Sequence, residues 1–311
     1  MSVQADATRA GWTAHRERST LWTLRLMRWF ALAAGRRLAR TVLHPITLYF
    51  VLFAPAARRQ SRRYLRRALG RRARLWDGYR HVHAFTATIL DRVYLLRGRL
   101  DLFDIEVRGG ELIDATLAEG RGAFLVGGHV GSFEVMRAIG QAHDGLRVAM
   151  VMYPDNAQQI NEALRAIAPD NEPHIIALGR VHSMLAVRDW LDGGGLAGML
   201  GDRRLEGASL RTGVVRLPFL GHEAGFSDGP VRLAALLRRR VMFMAGIYVG
   251  GNRYEVRFEP LADFSVPMAA ADREALVAQA VRDYATRLEA LCRAHPYNWF
   301  NFHDFWAEDG R

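Results

Sequence analysis

"AFLVGGHVGSFEVMRAIGQAH", residues 123–143, decides the fold. It opens with an apolar run of strand length, two glycines end that run, and Ser132 stands before a helical pattern that begins at Phe133. A buried strand, a glycine-containing loop and a capped helix, in that order, form the repeating unit of α/β sheets. His129 then occupies the loop at a strand's carboxyl end, where open α/β sheets bind ligands. Glu134 falls in the first helical turn, where the helix dipole and unpaired N–H groups favour a carboxylate. Residues five apart on one continuous helix point about 140 degrees from each other. His129 and Glu134 converge only if the chain turns between them, which the glycines allow. A carboxylate beside one imidazole nitrogen sets the tautomer and raises the basicity of the other, as a general base toward a hydroxyl requires.

The spacing alone is weak, because His303 and Glu308 repeat it. Its setting carries more. Strand-length apolar runs recur at 147–152, 174–178, 196–200, 214–217, 241–249 and 254–259. Helical patterns lie between several of them, at 157–168, 181–193 and 228–240, and a last helix is expected over about 269–293. This alternation predicts an α/β fold: a mostly parallel or mixed central sheet flanked by helices. No internal repeat or low-complexity linker divides it. The expected organisation is an N-terminal helical region over 1–75 and one catalytic domain over 76–311.

The N-terminal region has a different character. Residues 41–57, "TVLHPITLYFVLFAPAA", carry no formal charge apart from His44, and residues 58–74 carry nine arginines and no acid. An apolar stretch followed by a basic block suits a membrane surface with its positive side on the cytoplasmic face. The apolar stretch is short for a bilayer span, and Pro45 interrupts it. Upstream, residues 19–40 mix Trp22, Trp29 and several leucines with arginines, as an interfacial amphipathic helix does. Two core helices of a soluble domain with a solvated basic face are the alternative. The net charge of +11 rests on 43 basic residues, all arginine. The total absence of lysine looks like coding bias, so the surplus is no argument for nucleic acid, and none is expected as a partner. An acidic or phosphate-bearing partner remains favoured. The single cysteine, Cys292, excludes an internal disulfide and a Cys-based metal cluster. His81 and His83, two apart on a helix, face different ways, so no metal site is expected.

"GGHVGSFE" resembles the His-x4-Asp/Glu block of the lysophospholipid acyltransferase superfamily, in the branch of the late acyltransferases of lipid A synthesis. "MVMYPDNAQQIN", "GMLGDRR", "VRLPFLGHEAGFSDGPVRLAALL" and "HPYNWFNFHDFW" extend the resemblance in the expected order. A subgroup associated with aryl polyene lipids is similar over nearly the whole chain. The resemblance implies transfer of a fatty or related acyl chain from a thioester, on acyl carrier protein or acyl-CoA, to a hydroxyl of a lipid acceptor. It places the protein at the membrane surface, on the cytoplasmic face of the inner membrane. No cofactor is implied, since the acyl thioester is itself the donor substrate.

His129 would then take the acceptor's proton, Glu134 would orient it, and backbone N–H groups around Gly131 and Ser132 would hold the oxyanion. Ser132 suits a cap better than a nucleophile. Asp202 and Arg203 follow a strand and could face the site, Arg203 gripping a phosphate by paired hydrogen bonds; a solvated surface cluster is the other reading. Asn156 either meets substrate or caps a helix. Asp228 is a candidate cap before Pro230. The "EGTR"-like block of glycerophosphate acyltransferases is missing, which speaks against a simple glycerol-phosphate acceptor. A thioesterase using the same pair, and a basic membrane-binding protein without catalysis, are the competing functions. The aromatic-rich 297–306 segment either walls an acyl tunnel, lies at an interface or packs the chain's end onto the core.

Overall fold

The computed structural model describes residues 3–142, 146–152, 162, 167, 174–179, 181–202 and 213–306. Asn156, Arg203 and most of the helical pattern at 157–168 lie outside them.

The chain runs through helices α1 (Val3–Phe53), α2 (Pro55–Ala68) and α3 (Leu75–Leu95) before the first strand. It continues as β1 (Asp104–Arg108), α4 (Gly110–Ala118), β2 (Phe124–Gly127), α5 (Phe133–Ala142), β3 (Val148–Met152) and β4 (Ile175–Ala177). Next come α6 (Val181–Asp192), β5 (Leu196–Leu200), β6 (Val214–Phe219), β7 (His222–Ser227) and α7 (Gly229–Leu236). The long strands β8 (Arg240–Gly250) and β9 (Arg253–Asp263) and the helix α8 (Ala270–Ala294) follow.

Seven strands form one mixed sheet in the order β1-β9-β8-β2-β5-β3-β4, parallel at every pairing except the β8/β9 hairpin. β2 sits at its centre, and all four of its residues are buried, because a parallel strand covered on both faces has no solvent side. Successive side chains of the central strands point to opposite faces. Phe124 and Val126 therefore join the layer built with α6, α7 and α8, whereas Leu125 joins the layer built with α3 and α5.

Two strands escaped the sequence reading. β1 is the exposed edge, too polar to register as a buried run. β7 contains Gly225 and pairs with β6 in a separate hairpin, so the 214–217 run does not join the main sheet. Leu220 and Gly221 close that hairpin with φ values of 52° and 79°, the left-handed pair that a two-residue turn demands. Asp228 does not cap α7: its carboxylate takes Arg232 Nε instead.

Pro45 does not end α1, which is broken instead at Gly35 (φ 76°, ψ 163°). Helix α1 packs along α3 and is tied down by Arg36, whose guanidinium bonds both oxygens of the buried Asp91 at 2.8 and 2.9 Å. At Ala54 the chain bends by 94° into α2. Among the described residues no single helix is long and apolar enough to cross a membrane; the bent pair Arg25–Phe53 and Pro55–Ala68 together meets that test.

Candidate active site

Sheet register builds the site. β2 and β5 are parallel neighbours paired Gly127 to Leu200, and Gly201 N–H donates to Gly127 O at 2.9 Å. The next step of the ladder sets His129 opposite Asp202. Both lie two residues past the carboxyl end of their strand, so the two side chains leave the sheet at the same edge.

Asp202 holds His129 twice. Its Oδ1 lies 2.8 Å from His129 Nδ1, and its Oδ2 accepts the His129 backbone N–H at 2.7 Å. The Trp299 indole N–H donates to the same Oδ2 at 2.8 Å. Burial alone would raise the Asp202 pKa, but the His129 ring charge and these three N–H donors outweigh it and hold it down to about 2. An ionised carboxylate only accepts, so Nδ1 carries a proton toward Asp202, and in the neutral ring the lone pair then falls to Nε2. The His129 side chain remains 26% exposed while that of Asp202 is 2% exposed, which leaves the imidazole reachable and its partner shielded.

Glu134 stands in the first turn of α5, as expected, but its carboxylate meets partners other than His129. Its Oε1 is 2.8 Å from Arg92 Nε on α3, and its Oε2 accepts the Ser132 hydroxyl at 3.2 Å. The carboxylate bonded to the imidazole is that of Asp202, and Glu134 locks the first turn of α5 onto α3. Ser132 spends its hydroxyl on Glu134. The expected oxyanion donors are also engaged: Gly131 N–H donates to Asn298 O at 2.8 Å and Ser132 N–H to Gly246 O at 2.7 Å.

Those two bonds show how the loop is clamped. On one side it runs against β8 through a bridge between Gly131 and Gly246; on the other, Val130 pairs with Trp299. Phe300 N–H donates to His129 O at 2.8 Å. The 298–300 segment is itself fastened to β8 by Asn298, which both accepts from Tyr248 N–H and donates to Tyr248 O. Gly131 has φ 61°, and a Cβ there would stand 1.9 Å from Gly246 O. Only glycine fits where the loop crosses the strand.

Asp202 was expected as a binding residue at the sheet edge, and its bond to His129 was missed. Nothing local ties residues 73 positions apart; a carboxylate two residues past a parallel strand was the only signal. Trp299 was missed for the same reason.

The chain matches the family described as "Bacterial lipid A biosynthesis acyltransferase" over residues 87–308, which includes His129, Glu134, Asp202 and Trp299. No curated protein matches it. Because that match covers more than half of the sequence, this protein belongs to the bacterial lipid A biosynthesis acyltransferase family, whose activity is acyl transfer acting on lipid.

Proposed function

We propose that the protein transfers a fatty or related acyl chain from an acyl thioester to a hydroxyl of a lipid or glycolipid, with His129 as the general base. The single observation that supports this reading is the ring geometry: Nδ1 is committed to a buried, ionised Asp202, and the imidazole stays partly exposed. Nε2 removes the proton of the acceptor hydroxyl as its oxygen forms a bond to the thioester carbon. The tetrahedral oxyanion collapses, the carbon–sulfur bond breaks, and the departing thiolate takes the proton back from the imidazolium. No acyl-enzyme is needed. With the Gly131 and Ser132 N–H groups occupied, the oxyanion donors in this reading are the first-turn N–H groups of α5 that follow them, which lack intrahelical partners.

In the same reading the donor arrives on acyl carrier protein or coenzyme A, and the acceptor is reached from the cytoplasmic face of the inner membrane. The uncharged, outward-facing end of α1 and the arginines of α2 support that placement.

The test is incubation of the membrane fraction with a labelled acyl thioester, with and without an added lipid alcohol, followed by mass spectrometry of the lipids. Label should enter lipid in the wild type, and His129→Ala should lose transfer by on the order of 10³-fold or more while remaining folded. Equal thiol release without any acceptor would mark a hydrolase instead. Full transfer by His129→Ala would remove the proposed base.

A further inference from the structure

Helix α2 carries six arginines in fourteen residues and no acid. Arg58, Arg59, Arg62, Arg63 and Arg66, together with Arg72 from the following turn, wall a cavity of about 450 Å³ that Pro55 and Ala73 complete. Arg63 is paired with Asp304, and Arg58 donates to Val51 O. Arg59, Arg62, Arg66 and Arg72 have no carboxylate partner among the described residues. Arg59, Arg62 and Arg66 share one helix face, where like charges repel. The effect reaches Arg67, whose pKa is lowered by burial first and then by the neighbouring Arg63 and Arg66. A phosphate would relieve this repulsion, since its oxygens accept paired guanidinium N–H bonds.

The surroundings identify the source of that phosphate. Ile46, Leu48, Tyr49, Phe50, Leu52 and Phe53 are exposed on the last turns of α1, directly before the 94° bend, and Pro55 at the bend is also part of the cavity wall. Leu75 and Trp76, at 67% and 64% exposure, sit just beyond Arg74 on the far side of the arginine block. An acidic protein would match the arginines and leave the apolar tip and Trp76 in water. A bilayer matches both, with acyl chains around the tip and headgroups at the arginines.

We propose that the arginine-walled cavity of α2 binds the phosphate of an anionic lipid headgroup, beside the point where the tip of α1 enters the bilayer. This rests on the membrane placement proposed above and adds a headgroup preference to it.

Sedimentation with vesicles of phosphatidylcholine alone, and of phosphatidylcholine mixed with phosphatidylglycerol, separates the two ideas. The wild type should bind both and prefer the mixed vesicles. The triple variant R59Q/R62Q/R66Q should bind the neutral vesicles unchanged and lose affinity for the mixed ones by about a hundredfold. The corresponding triple lysine variant should keep the preference. A control with the same net charge, R121Q/R188Q/R282Q, removes arginines from other elements and should also keep it. Circular dichroism reports whether each variant is folded. Equal wild-type binding to both vesicle types would overturn the headgroup site alone, whereas binding to neither would overturn the membrane placement too. An unchanged preference in the glutamine triple variant, or an equal loss in the control, would also overturn the site. So would a glutamine triple variant that keeps the preference and loses binding to an acyl carrier protein.

Discussion

Asp202 is a residue whose cost of burial is offset by what it holds. Three N–H donors and the adjacent imidazole keep its pKa down at about 2 in the fold, against about 3.9 in an unfolded chain. The native value is the lower one, so ionised Asp202 stabilises the fold above about pH 4, and that contribution disappears as pH falls from 4 to 2. Asp202→Asn should flatten the pH dependence of urea unfolding in that interval. The same variant should lower kcat by on the order of 10²–10⁴-fold, because an amide no longer enforces the Nδ1–H tautomer. Glu134→Gln should behave differently, losing about 1–3 kcal/mol of stability through the broken Arg92 pair. Thermal melts alongside single-turnover rates distinguish the two carboxylates; a larger rate loss in Glu134→Gln than in Asp202→Asn would reverse their assignments. His129 was legible in the sequence because its strand, glycines and helix are contiguous. The bond from Asp202 was not, because only the β2/β5 register brings it there.

At the scale of elements, the C-terminal segment 298–300 behaves as a strap over the loop that carries His129. Of the readings open for 297–306, packing onto the core describes Trp299, which is 1% exposed and lies among Tyr64, Phe219 and Phe305. His81 on α3 anchors the strap from below, with Nε2–H donating to Trp299 O at 2.9 Å and Nδ1 accepting from Ser61 on α2 at 2.8 Å. That bonding needs a neutral ring, and burial lowers its pKa to about 4. The folded value again lies below the unfolded one of about 6.5. The His81 contribution is therefore complete above about pH 6.5 and lost as pH falls through 4, on the order of 3 kcal/mol in all. In His81→Gln the decline of unfolding free energy across this range should be shallower than in wild type, as read from denaturant titrations at stepped pH. An identical slope would show that the ring does not titrate with folding.

At the scale of the whole molecule, one end of the helical region combines an uncharged tip with a basic cavity, and the sheet edge carries His129. The tip residues contribute little to the fold because they face outward. Replacing Phe50, Leu52 and Phe53 by serine should change the melting temperature by only a few degrees. The same substitutions should weaken binding to neutral vesicles by about a hundredfold or more, since each apolar side chain contributes about 1.5–3 kcal/mol when taken out of water. Unchanged vesicle binding would remove the tip as the membrane contact.

Composition, hydrophobic period and the glycine-bounded histidine determined the α/β class, the strand-to-helix setting of His129 and the apolar, arginine-rich character of the chain's beginning. Each of these depends on residues close together in the chain. Tertiary structure alone decided which carboxylate meets His129, that the Gly131 and Ser132 N–H groups are occupied, and that arginines of α2 and the following turn line an open cavity. Pairing in a parallel sheet and packing between helices depend on crossovers of tens of residues, so the decisive neighbours are set by register in space rather than by spacing in sequence.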